Sequence, residues 1–168
     1  MGHIQQVLEK LRAHRLQANM EKCNFAMRSV SYLGFIVDEQ GFRMDPSKIE
    51  VLRDWKMPTN IHELRSFLGL ANFYRKFVRG FSKIAHPLHQ IIKAKRAFEW
   101  QTDQQDAFDL LKHRLCTAPV LAMPNLQLPF EVEANASGHV LGEVSTQQYK
   151  PISYHLESFL EVFQKYST

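Results

Sequence analysis

Residues 60–88 read NIHELRSFLGLANFYRKFVRGFSKIAHPL, and the spacing of their apolar positions decides how the chain folds. Ile61, Leu64, Leu68 and Ala71 recur at helical intervals, as do Phe67, Leu70, Tyr74, Phe77 and Val78. The pattern predicts one long amphipathic helix running to Gly80, followed by a helical partner. Its apolar stripe is wide enough that most of one side must be covered. Asn60 is placed to cap the start, with Glu63 reaching back to the Asn60 backbone N–H. Arg65, Arg75, Lys76 and Arg79 fall on the other side. Pro87 limits how the next segment packs.

Upstream, Ile4, Val7, Leu8 and Leu11 mark an amphipathic helix over 3–19. Residues 25–44 are strand-like, with Ser31 to Val37 as one strand, a turn at Glu39 to Gly41, and a return over Phe42 to Met44. Asp45-Pro46 starts a helix whose buried stripe is Ile49, Leu52 and Trp55, broken by Met57-Pro58-Thr59. Lys93-Ala-Lys95-Arg96 forms a basic linker. Thr102 then caps a further helix, with Gln105 closing a capping box and Ala107, Phe108, Leu111 and Leu115 facing inward. Residues 129–134 alternate with a period of two and predict a strand, with 140–146 and 151–155 as the second and third strands of a meander. The expected class is therefore α+β.

The 168 residues suffice for one ordinary domain or two small ones, and 45% apolar with 23% charged residues is a globular composition. No apolar run approaches the ~20 residues of a membrane span. Residues 1–20 lack the apolar core of a secretory signal. Cys23 and Cys116 stand far apart with no CxxC, which predicts two free thiols, read as small buried hydrophobes in a reducing intracellular compartment, cytoplasmic or nuclear. Charge is uneven. Residues 1–100 hold 17 Lys/Arg against 9 Asp/Glu, and residues 101–168 hold 4 against 8. A basic first part fits a polyanionic partner, and it fits a solvated surface equally well.

The run ELRSFLGL–NFYR–F resembles the thumb of reverse transcriptases from gypsy-type LTR retrotransposons and their retroviral relatives. Almost the whole chain resembles one continuous slice of such a Pol polyprotein, beginning just after the polymerase active site and ending inside the RNase H-like domain. The resemblance implies three parts: a palm remnant with a primer-grip-like hairpin at 1–44, a helical thumb at 45–97, and a connector with an incomplete RNase H-like sheet at 98–168. The Tyr-x-Asp-Asp turn of the polymerase site is absent from the sequence.

Site residues follow from the same resemblance. Leu33-Gly34-Phe35 matches the hairpin position where a glycine admits the primer phosphate. From the residues alone that glycine reads more readily as a bulge in a structural hairpin. Arg65, Gly69 and Phe73 are four apart and share one helix face. In related thumbs such a face, small at its centre, lies in the minor groove of the template–primer duplex. Close packing against another helix accounts for Gly69 equally well. Arg75, Lys76 and Arg79 complete the nucleic-acid-binding set.

The first RNase H strand normally carries an Asp that helps hold two Mg²⁺ ions, which activate water on the RNA strand. Here the stretch reads Ala134-Asn135-Ala136-Ser137, so Asn135 replaces that Asp with a neutral amide. Glu143 stands where the family has a small residue and is not read as a substitute ligand. The sequence ends at Tyr166-Ser-Thr168, before the helix supplying the next catalytic Glu. No catalytic residue, metal ligand or cofactor is assigned, and Mg²⁺ belongs to the intact parent enzyme. His86 and His89 lack the carboxylate or cysteine that would complete a metal set.

Two functions emerge from this reading. One is a Pol fragment without catalytic residues that binds RNA–DNA or DNA duplexes through phosphate, independently of sequence and sensitively to salt. The alternative is a protein-interaction module or translated relic, self-associating through an exposed palm face or open sheet edge. A membrane partner is not expected.

Overall fold

The structure, a computed structural model, describes residues 2–94, 97–137 and 140–158. Helix α1 spans Gly2–Ala13, shorter than the sequence suggested, and none of its residues is buried. Val7, Leu8 and, further on, Leu16, Met20, Phe25 and Met27 stay exposed. The amphipathic stripe exists, but no described element covers it.

Strands β1 (Ser29–Tyr32), β2 (Phe35–Asp38) and β3 (Gly41–Met44) form an antiparallel meander in that order. The sequence reading ran one strand through Leu33-Gly34. The chain turns there instead, because both residues adopt positive φ, 49° and 78°. That pairing of left-handed residues makes a two-residue hairpin turn. Gly34 is thus a turn glycine, not a bulge. The second turn, at Glu39-Gln40, is tied down when the Gln40 N–H donates to the Asp38 carboxylate. Arg43 pairs with Asp38 as well.

Asp45 caps α2 (Pro46–Arg53) by accepting from the Ser47 N–H, with Pro46 in the first turn, as the sequence indicated. Helix α3 covers Ile61–Phe73, and Asn60 accepts from the Glu63 N–H at 2.9 Å. The Glu63 carboxylate reaches one residue further back than expected, to the N–H and hydroxyl of Thr59. The long helix also stops early. At Tyr74 the backbone tightens into a 3₁₀ turn over Arg75–Phe77, and α4 (Phe81–Lys93) starts after Gly80, whose φ is +75°. Aromatic and β-branched residues favour helix weakly. The tighter turn buries Tyr74, Phe77 and Val78 together. Pro87 lies inside α4, which continues through it.

Helix α5 (Thr102–Cys116) begins at Thr102 itself, the residue expected to cap it, so the cap lies one position earlier. Gln101 is the cap and Gln104 closes the box, while Gln105 holds the Trp100 indole N–H at 2.8 Å. One core cluster runs from Met44 to Leu121, drawing on α2, α3, α4 and α5. Phe67 and Phe108 meet at its centre with ring centroids 4.6 Å apart. Aromatic pairs of this kind contribute beyond their buried area.

The segment after α5 ties the two sheets together. Leu121 exchanges both backbone hydrogen bonds with Phe42 of β3, at 2.8 and 2.9 Å, and the Ala122 N–H donates to Pro151. Strands β4 (Glu131–Ser137), β5 (Val140–Gln147) and β6 (Lys150–Ser158) make the second antiparallel meander. Buried Gln147 holds the loop before β4 through Asn125 and Leu128. The α+β class stands as read from the sequence.

Candidate nucleic-acid interface

Helix α3 presents two sides. Leu64, Phe67, Leu68 and Ala71 face the core. Arg65, Gly69 and Phe73 are exposed together on the outer side, eight residues or about 12 Å from end to end. A side-chain carbon at Gly69 would meet nothing within 4 Å. Helix packing therefore does not account for the glycine, because nothing described packs there.

The hairpin turn meets the end of this face. Phe35 stacks on Phe73 at 5.2 Å and 19°, and touches Tyr74 and Phe77 edge-on and face-on respectively. Leu33 is exposed beside it. The buried Tyr74 hydroxyl crosses to the Gly34 carbonyl at 2.9 Å. Burial first, then the nearby Asp45 charge, raises the Tyr74 pKa, so the phenol stays a donor. A side-chain carbon at Gly34 would stand 2.7 Å from that hydroxyl. Its glycine is thus required twice, by its φ and by Tyr74.

The remaining cations divide. Arg75 and Arg79 are exposed. Lys76 is half-buried, its ammonium 4.0 Å from the Phe35 ring centroid and 4.5 Å from that of Phe42. Burial pushes its pKa down. Leu33, Gly34 and Phe35 thus join Phe73 and Lys76 at one place, while Arg65 and Gly69 extend from it along α3.

One signal went unused in the sequence. Residues 64–98 contain no Asp or Glu at all, yet carry Arg65, Arg75, Lys76, Arg79, Lys83, Lys93, Lys95 and Arg96. Lys83, His86 and Lys93 are exposed on α4. A stretch this long without an acid points to a polyanion more sharply than the net charge does. Lys95 and Arg96 of the basic linker lie outside the described residues.

Asn135 sits on β4 opposite Gly142, and Glu143 pairs with Ala134 one step away. The Asn135 side chain and residues 159–168 lie outside the described residues. Among the described residues, no three His, Cys, Asp or Glu side chains are grouped to hold a metal ion.

Comparison with known proteins agrees with this architecture. Residues 100–168 match the model of an RNase H-like domain found in reverse transcriptase. An uncharacterized mitochondrial protein of Arabidopsis thaliana is 41% identical over 132 residues, covering 77% of this chain and 83% of that protein. The retrovirus-related Pol polyprotein from transposon gypsy of Drosophila melanogaster is 33% identical across 99% of this chain, which spans only 17% of its length. Among solved structures, the foamy viral protease-reverse transcriptase in complex with an RNA/DNA hybrid matches with a TM-score of 0.78 and 26% identity, over 95% of this chain and 23% of that one. The chain is a relative of gypsy-type retrotransposon Pol polyproteins and matches only a part of them, its residues 100–168 matching the RNase H-like domain found in reverse transcriptase.

Proposed function

We propose that this chain binds nucleic-acid duplexes, RNA–DNA hybrid or DNA, through the outer face of α3 and the adjoining hairpin turn. The observation that carries this reading is the exposed line Arg65, Gly69, Phe73, with open space over Gly69 and no acid from Leu64 to Phe98. A backbone stripped of its side chain lets a groove approach closely, and the flanking arginines meet phosphate. The related foamy viral enzyme is seen with such a hybrid. Binding is sequence-independent, because phosphates supply the affinity.

Catalysis is not part of this reading. An amide at Asn135 is neutral and a poorer Mg²⁺ ligand than the family's Asp, so this position does not fit the family's metal pair. The chain is read as a non-catalytic segment acting inside the cell, in the cytoplasm or nucleus, where its two free thiols persist.

Fluorescence anisotropy with a labelled RNA–DNA hybrid tests both points. Three phosphate contacts give a log–log salt slope of about −2.7, so affinity drops about 40-fold from 50 to 200 mM salt. The Arg75→Gln, Arg79→Gln double variant flattens the slope by up to about 1.8. Absence of binding at both salts refutes the reading, and Mg²⁺-dependent hybrid cleavage by the wild type refutes the non-catalytic half.

A second reading draws on α1. Its uncovered apolar residues, with Phe25 and Met27, favour a protein partner or a second copy on that side. Concentration-dependent sedimentation that disappears in a Val7→Glu, Leu8→Glu variant supports self-association.

A further inference from the structure

Lys76 is held in a way that a phosphate ligand is not. Its ammonium lies over three ring faces, those of Phe35 at 4.0 Å, Phe42 at 4.5 Å and Phe77 at 5.7 Å. These rings come from β2, β3 and the 3₁₀ turn, so one cation bridges three pieces of backbone. Ring quadrupoles attract a cation more strongly where water is partly excluded, and Lys76 is half-buried. No carboxylate pairs with it among the described residues. Two residues earlier, the Tyr74 hydroxyl grips the Gly34 carbonyl, which also accepts from the Asp45 N–H at 3.1 Å. The same short segment thus holds the Leu33–Gly34 turn through Tyr74 and the rings behind it through Lys76.

We propose that Lys76 is a positioning residue, not a phosphate ligand. With Tyr74 it interlocks the hairpin with the end of α3, fixing the turn relative to the Arg65–Gly69–Phe73 face. The functional half of this proposal rests on the duplex-binding reading. The interlock itself does not. A flexible lysine aimed at solvent gives up this cage to reach a phosphate, whereas Arg75 next to it is exposed and free to do so.

The test uses the full chain and three variants, Lys76→Gln, Lys76→Arg and Arg75→Gln. Hybrid binding is titrated by anisotropy across a salt series. Lys76→Gln weakens binding several-fold with an unchanged salt slope, and Lys76→Arg restores it, because a guanidinium also stacks on rings. Arg75→Gln lowers the slope by about 0.9, one phosphate. A second measurement needs no nucleic acid. The ε-methylene protons of Lys76 resonate upfield of other lysines through ring currents, and move part of the way back to the ordinary position in Phe42→Leu, the Phe35 and Phe77 rings remaining. A slope change of about 0.9 in Lys76→Gln, or an ordinary ε-methylene shift in the wild type, overturns the proposal. If the wild type fails to bind hybrid, the duplex reading and the functional half fall together, and the ring-current shift alone decides the interlock.

Discussion

Replacing Gly69 with Ala moves stability and binding in opposite directions. The glycine lies in the interior of α3, and a methyl group added there meets no atom within 4 Å. Nothing in the fold opposes the substitution, so helix propensity sets its effect. Glycine is about 0.8–1.0 kcal/mol less favourable than alanine in a helix interior. The variant is therefore more stable by about that amount, which raises Tm by roughly 2–3 °C for a chain of this size. In the bound state the same methyl enters the space that the duplex groove is to occupy. Overpacking a close contact costs about 1–3 kcal/mol. At the low end that is about fivefold in Kd. Gly69→Leu extends the effect, with the fold retained and hybrid binding lost. Thermal unfolding by circular dichroism gives the first number and anisotropy the second. A folded Gly69→Leu chain that binds hybrid as tightly as the wild type refutes the groove reading. An unchanged Tm in Gly69→Ala refutes the claim that the site is open.

Other perturbations follow from the geometry. Gly41→Ala destabilises by at least about 2 kcal/mol in urea titrations, since φ is +132° and the new carbon overlaps the Leu121 carbonyl that pairs with Phe42. Phe67→Ala costs about 3–5 kcal/mol, because Phe67 is fully buried against Phe108 and Trp55. The Ser47 hydroxyl and N–H hold the Asp45 carboxyl below its ordinary value of 3.8, so below about pH 4 the unfolded chain binds more protons. Stability from this group is complete above that value and is lost as pH falls through the lower folded pKa. Asp45→Asn keeps the cap without titrating, and its Tm declines less steeply than the wild type's between pH 5 and 2.

Local rules carried much of the fold. Asp45-Pro46 and Asn60 start their helices where capping chemistry places them, and the three strands expected over 129–155 pair as a meander. The errors arise where a distant contact overrules a local pattern. Tyr74, Phe77 and Val78 continue the helical period of α3 in sequence. They leave it in the structure because the hairpin, some 40 positions earlier, supplies the surface that buries them. Leu33-Gly34 reads as mid-strand until its two positive φ values are known. Gly41 was legible as a turn residue but not as a close contact, since the atom that excludes a side chain there belongs to Leu121, 80 residues on.

The candidate site shows the same division. Its composition was legible, most plainly as the acid-free run from Leu64 to Phe98, and so was the common face of Arg65, Gly69 and Phe73. The separation of Lys76 from Arg75 was not. Adjacent in sequence and alike in charge, they differ because the 3₁₀ turn directs one side chain onto the hairpin aromatics and leaves the other in water. A double Arg75→Glu, Lys76→Glu variant would merge the loss of a phosphate contact with the loss of the interlock. Separate single substitutions keep an electrostatic change in salt slope apart from a geometric change in affinity.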